Sequence, residues 1–207
     1  EGVRFLLRDH GQPAAFHGTL GDLLSVDAAH RRAIEAALGE SAVAVVVDGA
    51  LDAVEAIEVL KNSRKGTVTF LPIDRFGGKN DAPVLEDGQT EGVVGWAETL
   101  VSSKPAFRDV VRSLLANVLV VDELKTALEI APRYKDNQLS IVTLDGEIVH
   151  CSGAMRGGQG GDSAADKLGR KSTIEALQKE IAELEIRWAE TREKLEKQSQ
   201  RVQELMA

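Results

Sequence analysis

The sequence predicts a mixed α/β (α+β) fold of two similar half-domains followed by a long coiled-coil helix, and three observations carry that reading. A strand–helix–strand pattern occurs twice before His150. A glycine cluster (Gly153, Gly157, Gly158, Gly160, Gly161) follows the second copy. Beyond it Ile174, Leu177, Ile181, Leu184, Trp188, Thr191, Leu195, Gln198, Val202 and Leu205 recur in alternating steps of three and four residues, the spacing of a coiled-coil seam.

The elements follow in order. A helix is expected near Asp27 to Leu38, with Gly39 as its stop. Val43-Ala-Val-Val-Val-Asp48 is a short apolar run that reads as a strand, and an amphipathic stretch with Leu51, Val54, Ile57 and Leu60 reads as the next helix. Gly66 then leads into a second strand, Thr67-Val-Thr-Phe-Leu71. Pro72 to Thr90 is rich in turn formers (Gly77-Gly78, Asn80-Asp81, Asp87-Gly88) and reads as a connection, with Gly92-Val-Val-Gly-Trp96 assignable to the second sheet. A second helix is expected from Pro105, which suits a first helical turn, to Asn117. The second copy follows as Val118-Leu-Val-Val-Asp122, then Leu124, Ala127, Leu128 and Ile130, then Gln138-Leu-Ser-Ile-Val-Thr-Leu144. In both copies a Val-Val-Asp stands at the strand-to-helix turn, where aspartate can cap the following helix. Asp145-Gly146 between Ile141-Val-Thr-Leu144 and Glu147-Ile-Val-His150 predicts a tight hairpin. The expected divisions are residues 1–90 and 91–162 for the half-domains and 163–207 for the helical arm.

The arm needs a partner, because a helix with one apolar stripe has nothing in itself to bury that stripe against. Thr191 and Gln198 weaken the seam toward its end. The seam spans about six turns at 3.6 residues per turn, longer than a helix packed on its own small domain requires.

Composition bounds the function. With 207 residues, 43% hydrophobic and 28% charged, the chain suits one large or two small domains plus the helix, and is neither disordered nor membranous. No apolar run reaches membrane-spanning length, and the first twenty residues carry no basic start followed by an apolar block, so cytoplasm is the default. Cys151 is the single cysteine, which excludes an internal disulfide and fits a reducing compartment. The net charge of −8 disfavours general polyanion binding. Local basic groups remain: Arg4 and Arg8 near the start, Arg156 in the glycine cluster, and Lys167, Arg170 and Lys171 where the arm begins.

Several chemistries are set aside on pattern. Ser152 to Gln159 faintly resembles an ABC-type ATPase signature loop, but no Gly-x-x-x-x-Gly-Lys-Ser/Thr is present to cradle phosphates, so this stretch is not expected to hydrolyse ATP. Val45-Val-Val-Asp-Gly49 offers one glycine where a dinucleotide site needs several. His10, His17, His30 and His150 are scattered without metal-ligand spacing, and no Ser, His and Asp arrangement marks a nucleophile.

The order of Phe16-His-Gly-Thr-Leu-Gly-Asp-Leu-Leu24, Ala33-Ile-Glu-Ala-Ala-Leu-Gly39, Ala44-Val-Val-Val47, Gly66-Thr-Val-Thr-Phe-Leu-Pro72, Ile141-Val-Thr-Leu-Asp-Gly-Glu147 and Gly153-Ala-Met-Arg-Gly-Gly158 resembles the hinge domain of structural maintenance of chromosomes (SMC) proteins over roughly residues 15–161. His30 and Met155-Arg156 depart from residues common in that family. The resemblance implies a non-catalytic dimerisation module at the apex of a folded-back, prokaryotic-type, chromosome-organising ATPase. Its half-domains would be related by a pseudo-twofold axis, and ATP and Mg would belong to separate head domains, with no cofactor here. It also implies a homodimer joined through sheet edges at Gly153, Gly157, Gly158, Gly160 and Gly161, although such a stretch taken alone reads as a flexible linker. An antiparallel second arm would precede Glu1. Weak DNA contact, better to single strands, would use Arg4, Arg8, Arg156, Lys167, Arg170 and Lys171, and the protein would be cytoplasmic and nucleoid-associated, with no membrane partner. The alternative is a small-ligand or nucleotide-binding α/β domain with a coiled-coil oligomerisation tail.

Overall fold

The computed structural model describes residues 2–9, 15–78, 91–134, 139–158, 177–189 and 191–192. By its contacts the chain divides into two units, Glu1–Gly169 and Arg170–Ala207.

The first unit opens with α1 (Gly2–Arg4), which continues into one π-helical turn over Phe5–Asp9. Then come β1 (Phe16–Thr19), α2 (Leu20–Leu23), β2 (Ser25–Val26), α3 (Arg31–Leu38), β3 (Val45–Val47), α4 (Ala50–Ser63) and β4 (Phe70–Pro72). The same series returns as β5 (Val93–Trp96), a 3₁₀ turn at Ala97–Leu100, β6 (Val101–Ser102), α5 (Arg108–Leu115), β7 (Val118–Val121), α6 (Leu124–Ile130) and β8 (Ser140–Thr143). The second series then adds β9 (Ile148–His150) and β10 (Met155–Arg156).

The repeat holds in pairing as well as in order. β1 runs antiparallel and β4 parallel to β3, and likewise β5 runs antiparallel and β8 parallel to β7. Both antiparallel pairs shift register at one glycine, Gly18 in β1 and Gly95 in β5, and both glycines have positive φ (115° and 151°). A bulge of that kind bends the strand and suits a residue without Cβ. The short strands β2 and β6 pair with each other, Ser25 with Ser102 and Val26 with Val101. Because β2 and β6 occupy equivalent places in the repeat, exchanging the halves exchanges these two pairs, and the pseudo-twofold axis passes through this ribbon.

Alternation along the strands explains why their sequences are apolar throughout. On β7, Val118 and Val120 face the same cluster as Val46 of β3 and Val142 of β8, whereas Leu119, Val121 and Ile141 face another. Val45 and Val47 face a third. Strands covered on both faces need apolar residues at every position. The central cluster joins the halves: Leu20, Ile34, Leu38 and Val46 of the first pack with Val110, Leu115, Val120 and Val142 of the second. Each fully buried Val, Leu or Ile contributes about 1.5–3 kcal/mol by the area it removes from water. The outer clusters seat α4 over the first sheet, together with Leu6 of the π turn, and α6 over the second.

Two local expectations change. Of the apolar stripe on α4 only Leu60 is buried; Leu51 is 80% exposed and Val54 52%, and the helix meets its sheet through Ala53 and Ala56. The small alanines allow the helix to lie close to the valine surface, so the bulky residues turn outward. Asp48 does not cap α4. Gly49 is the N-cap residue, its N–H donating to Asp52 Oδ2 at 2.9 Å, while the Ala50 N–H donates to Asp74 Oδ2 at 3.3 Å. Asp122 comes nearer the expected role: its Oδ1 accepts from the Glu123 N–H at 2.6 Å and from the Thr126 hydroxyl at 2.8 Å at the start of α6. The stops and starts read from Gly39 and Pro105 are present, with Gly39 ending α3 at φ 51° and Pro105 opening the turn that leads into α5.

In the second unit residues 177–189 and 191–192 are helical. Leu177, Ile181, Leu184 and Trp188 are 51–64% exposed, so the described part of the stripe is exposed. The Thr191 hydroxyl donates to the Arg187 carbonyl at 2.7 Å, which satisfies a polar seam position inside its own helix.

Candidate functional site

The predicted hairpin, Gly153, Gly157, Gly158, Arg156 and Cys151 lie on or beside the last three strands. β8 turns tightly into β9: the Gly146 N–H donates to the Thr143 carbonyl and the Thr143 N–H to the Glu147 carbonyl, both at 2.9 Å. Thr143 is fully buried, and its hydroxyl donates to Glu147 Oε2 at 2.6 Å. An alanine at Gly146 would bring Cβ to 3.3 Å from Arg32 Cγ, so the hairpin tip lies against α3 of the other half. The Arg32–Asp145 ion pair there spans 3.7 Å between well-exposed side chains and is worth about 0–1 kcal/mol.

From β9 the chain reverses again through Cys151–Ala154. The Gly153 N–H donates to the His150 carbonyl and the His150 N–H to the Ala154 carbonyl, both at 2.8 Å, with Gly153 at φ 101°. β10 then pairs with β9, Met155 with Val149 and Arg156 with Ile148. A strand therefore stands inside the glycine cluster, between Gly153 and Gly157. β10 is the edge of its sheet, exposed from Gly153 to Gly158, and among the described residues no strand lies on its outer side. Gly158 has φ 121°, and a Cβ built there or at Gly153 would meet no atom within 4 Å. Gly157 lacks a positive φ, and its Cβ would press on Glu147 Cγ at 3.1 Å.

Cys151 supports this corner from inside. It is buried, its N–H donates to the Leu139 carbonyl at 3.1 Å, and burial pushes its thiol pKa up, which makes it a poor nucleophile. The Ser140 hydroxyl and His150 Nδ1 lie 2.9 Å apart beside it.

The described basic candidates lie on different elements. Arg4 is exposed on α1, which is seated on the first sheet, and Arg8 lies in the π turn behind it. Arg156 is exposed on β10 at the edge of the second sheet. Gly160, Gly161, Lys167, Arg170, Lys171, Ile174, Leu195, Val202 and Leu205 lie outside the described residues. Among the described residues no three His, Cys, Asp or Glu side chains are placed to hold a metal ion, and no helix is long and apolar enough to cross a membrane.

The family of SMC proteins Flexible Hinge Domain matches residues 13–131. The chain belongs to the SMC hinge family. Chromosome partition protein Smc of Bacillus subtilis is 35% identical over 189 residues, an alignment that covers 89% of this chain and 16% of that protein. The hinge therefore spans about a sixth of that relative's length. Among solved structures, an asymmetric dimer of the Geobacillus stearothermophilus SMC hinge domain superposes with a TM-score of 0.72 at 32% identity, covering 89% of this chain and 74% of the other. The Pyrococcus furiosus SMC hinge domain does so with a TM-score of 0.58 at 29% identity, over 73% and 76% of the two chains.

Two features of this hinge went unread in the sequence. One is the β2–β6 ribbon, whose two-residue strands carry no periodicity to detect. The other is a contact between the halves at His17: its Nε2 lies 2.7 Å from Asp48 Oδ1, and its ring meets that of Phe107 edge-on at 5.2 Å. A histidine two residues before the β1 turn and an aspartate at the end of β3 are paired only once the sheet forms, so the signal was tertiary.

Proposed function

We propose that this hinge joins two copies of its chain at the apex of an SMC chromosome-partition ATPase, through the open β10 edge and its glycines. The observation that carries the reading is the contrast between the two halves. β4 and β8 are equivalent in the repeat, yet β8 is extended by β9 and β10 whereas β4 has no strand on its outer side among the described residues. Each chain therefore offers one extra edge and one bare edge, and strand addition in both directions gives a closed, twofold pair. Gly153, Gly157 and Gly158, and Gly160 and Gly161 beyond them, let a partner's backbone approach closely. In this reading residues 1–90 and 91–162 act as two halves of one hinge, and 163–207 forms the returning half of an antiparallel arm whose seam includes Leu177, Ile181, Leu184 and Trp188. ATP and Mg act in distant heads, and the protein works in the cytoplasm on the nucleoid.

Light-scattering chromatography of the chain and of a version ending at Asp162 tests this. A dimer in both places association in the hinge; loss of the dimer on truncation moves it to the helix and overturns the proposal.

Contact with DNA at the hinge-to-arm junction is proposed on the cations Arg4, Arg8, Arg156, Lys167, Arg170 and Lys171. Binding is expected to be weak and salt-sensitive, because a chain of net charge −8 gains little from counterion release outside that patch. Reversing Lys167, Arg170 and Lys171 to glutamate together is expected to abolish a gel shift with single-stranded DNA, and a full shift by that variant refutes the patch.

A further inference from the structure

The internal repeat supplies its own comparison for one surface. In each half a turn after the first strand (Leu20–Leu23, Ala97–Leu100) packs near an eight-residue helix that begins with arginine, α3 or α5. In the first half this place holds Gly21, Asp22, Arg31 and Glu35. Glu35 is buried, Asp22 accepts the Thr19 hydroxyl at 2.6 Å, and Arg31 is drawn in far enough to bury its Nε. The equivalent residues in the second half are Glu98, Thr99, Arg108 and Arg112, so both carboxylates of the first half are replaced, one by a hydroxyl and one by a guanidinium. The result is an open cleft of about 320 Å³, with Ser102 and Ser103 on its other wall.

The cleft is short of negative charge. Two guanidiniums face one carboxylate, and that carboxylate is held loosely: Arg112 Nε and Glu98 Oε2 are 3.9 Å apart, beyond hydrogen-bond range. Arg108 has no ion pair among the described residues. Arginines at i and i+4 are neighbours on a helix face. The Thr99 hydroxyl is committed to the Trp96 carbonyl at 2.8 Å, whereas Ser103 makes only a long contact of 3.4 Å to the Lys104 carbonyl. Two guanidinium groups with a weakly engaged serine hydroxyl match the oxygens of a tetrahedral anion, and arginine is the residue best shaped for that geometry.

We infer that this cleft binds the phosphate group of a small phosphate ester. Its volume of about 320 Å³ lies at the bottom of the ligand-pocket range of about 300–1,000 Å³, enough for a phosphate with part of the small ester that carries it. Its residues lie on α5, β6 and the turn before it, apart from β10 and β4, so the inference stands independently of the dimer edge.

Calorimetric titration at fixed ionic strength with inorganic phosphate, deoxycytidine monophosphate and a short single-stranded oligonucleotide separates the sources. Response to phosphate and monophosphate is expected, and response to the oligonucleotide alone overturns the inference. Arg108→Gln with Arg112→Gln is expected to weaken binding about tenfold or more. Glu98→Gln is expected to tighten it, a gain that a folding defect does not imitate. Absence of binding by all three probes, equal binding by the double arginine variant, or no tightening by Glu98→Gln overturns the inference.

Discussion

A Gly158→Val chain is expected to run as a monomer at concentrations where the unaltered chain runs as a dimer. Within one protomer a Cβ at Gly158 meets no atom within 4 Å. The space it enters is the space a partner's strand would occupy beside β10. A lost edge contact of about 3 kcal/mol is more than a hundredfold in Kd, enough to change the mass seen by light scattering. Valine also strains a backbone at φ 121°, at a cost of about 1–3 kcal/mol. Gly158→Ala carries that strain with far less bulk and is expected to dimerise more tightly than Gly158→Val. Circular dichroism on both variants shows whether the monomer is folded. An unchanged dimer mass for Gly158→Val removes the glycine edge from the interface.

Ile34→Ala is expected to lower the stability of the first unit by about 2–5 kcal/mol, the range for emptying a well-packed site, and to do so for both halves at once. Ile34 is fully buried on α3 in the cluster that also holds Val110, Leu115 and Val120. A half that shares its core with the other cannot unfold alone without exposing the other's apolar surface. The two tryptophans make this measurable, because Trp96 stands on β5 in the second half and Trp188 in the arm. In a Trp188→Phe background, Trp96 fluorescence and far-ultraviolet circular dichroism are expected to move to lower denaturant together. A Trp96 transition that stays in place while the dichroism shifts would show two independently folding halves.

The sequence made legible whatever depends on local chemistry. The runs at Val45–Val47 and Val118–Val121 are apolar on both faces and stand out as strands, as does Ile141-Val142 in β8; Gly39 and Pro105 mark helix ends through backbone geometry that few other residues supply. It misled where packing distance decides. On α4 leucine and valine look like the buried stripe, but the sheet takes the alanines, because the separation of helix and sheet is set by the whole layer. β2 and β6 are too short for any period, and the pairing that makes them strands is supplied by the other half. For the site, the glycine cluster was visible as composition, but its division into Gly153 and Gly158 with positive φ and Gly157 without follows from β10 pairing with β9. The Arg108–Arg112 cleft became visible only when the two halves could be compared position by position.

The burial of Cys151 has a practical corollary for mapping the assembly chemically. Its raised pKa and enclosed sulfur leave the surface without a fast native thiol among the described residues, so cysteines placed at Met155→Cys on β10 and Thr69→Cys beside β4 can be cross-linked without first removing it. A bond between such positions forms only when the Cβ atoms lie about 3.5–4.5 Å apart. The enclosed thiol thus turns a question of which edges touch into a count of covalently joined chains on a denaturing gel.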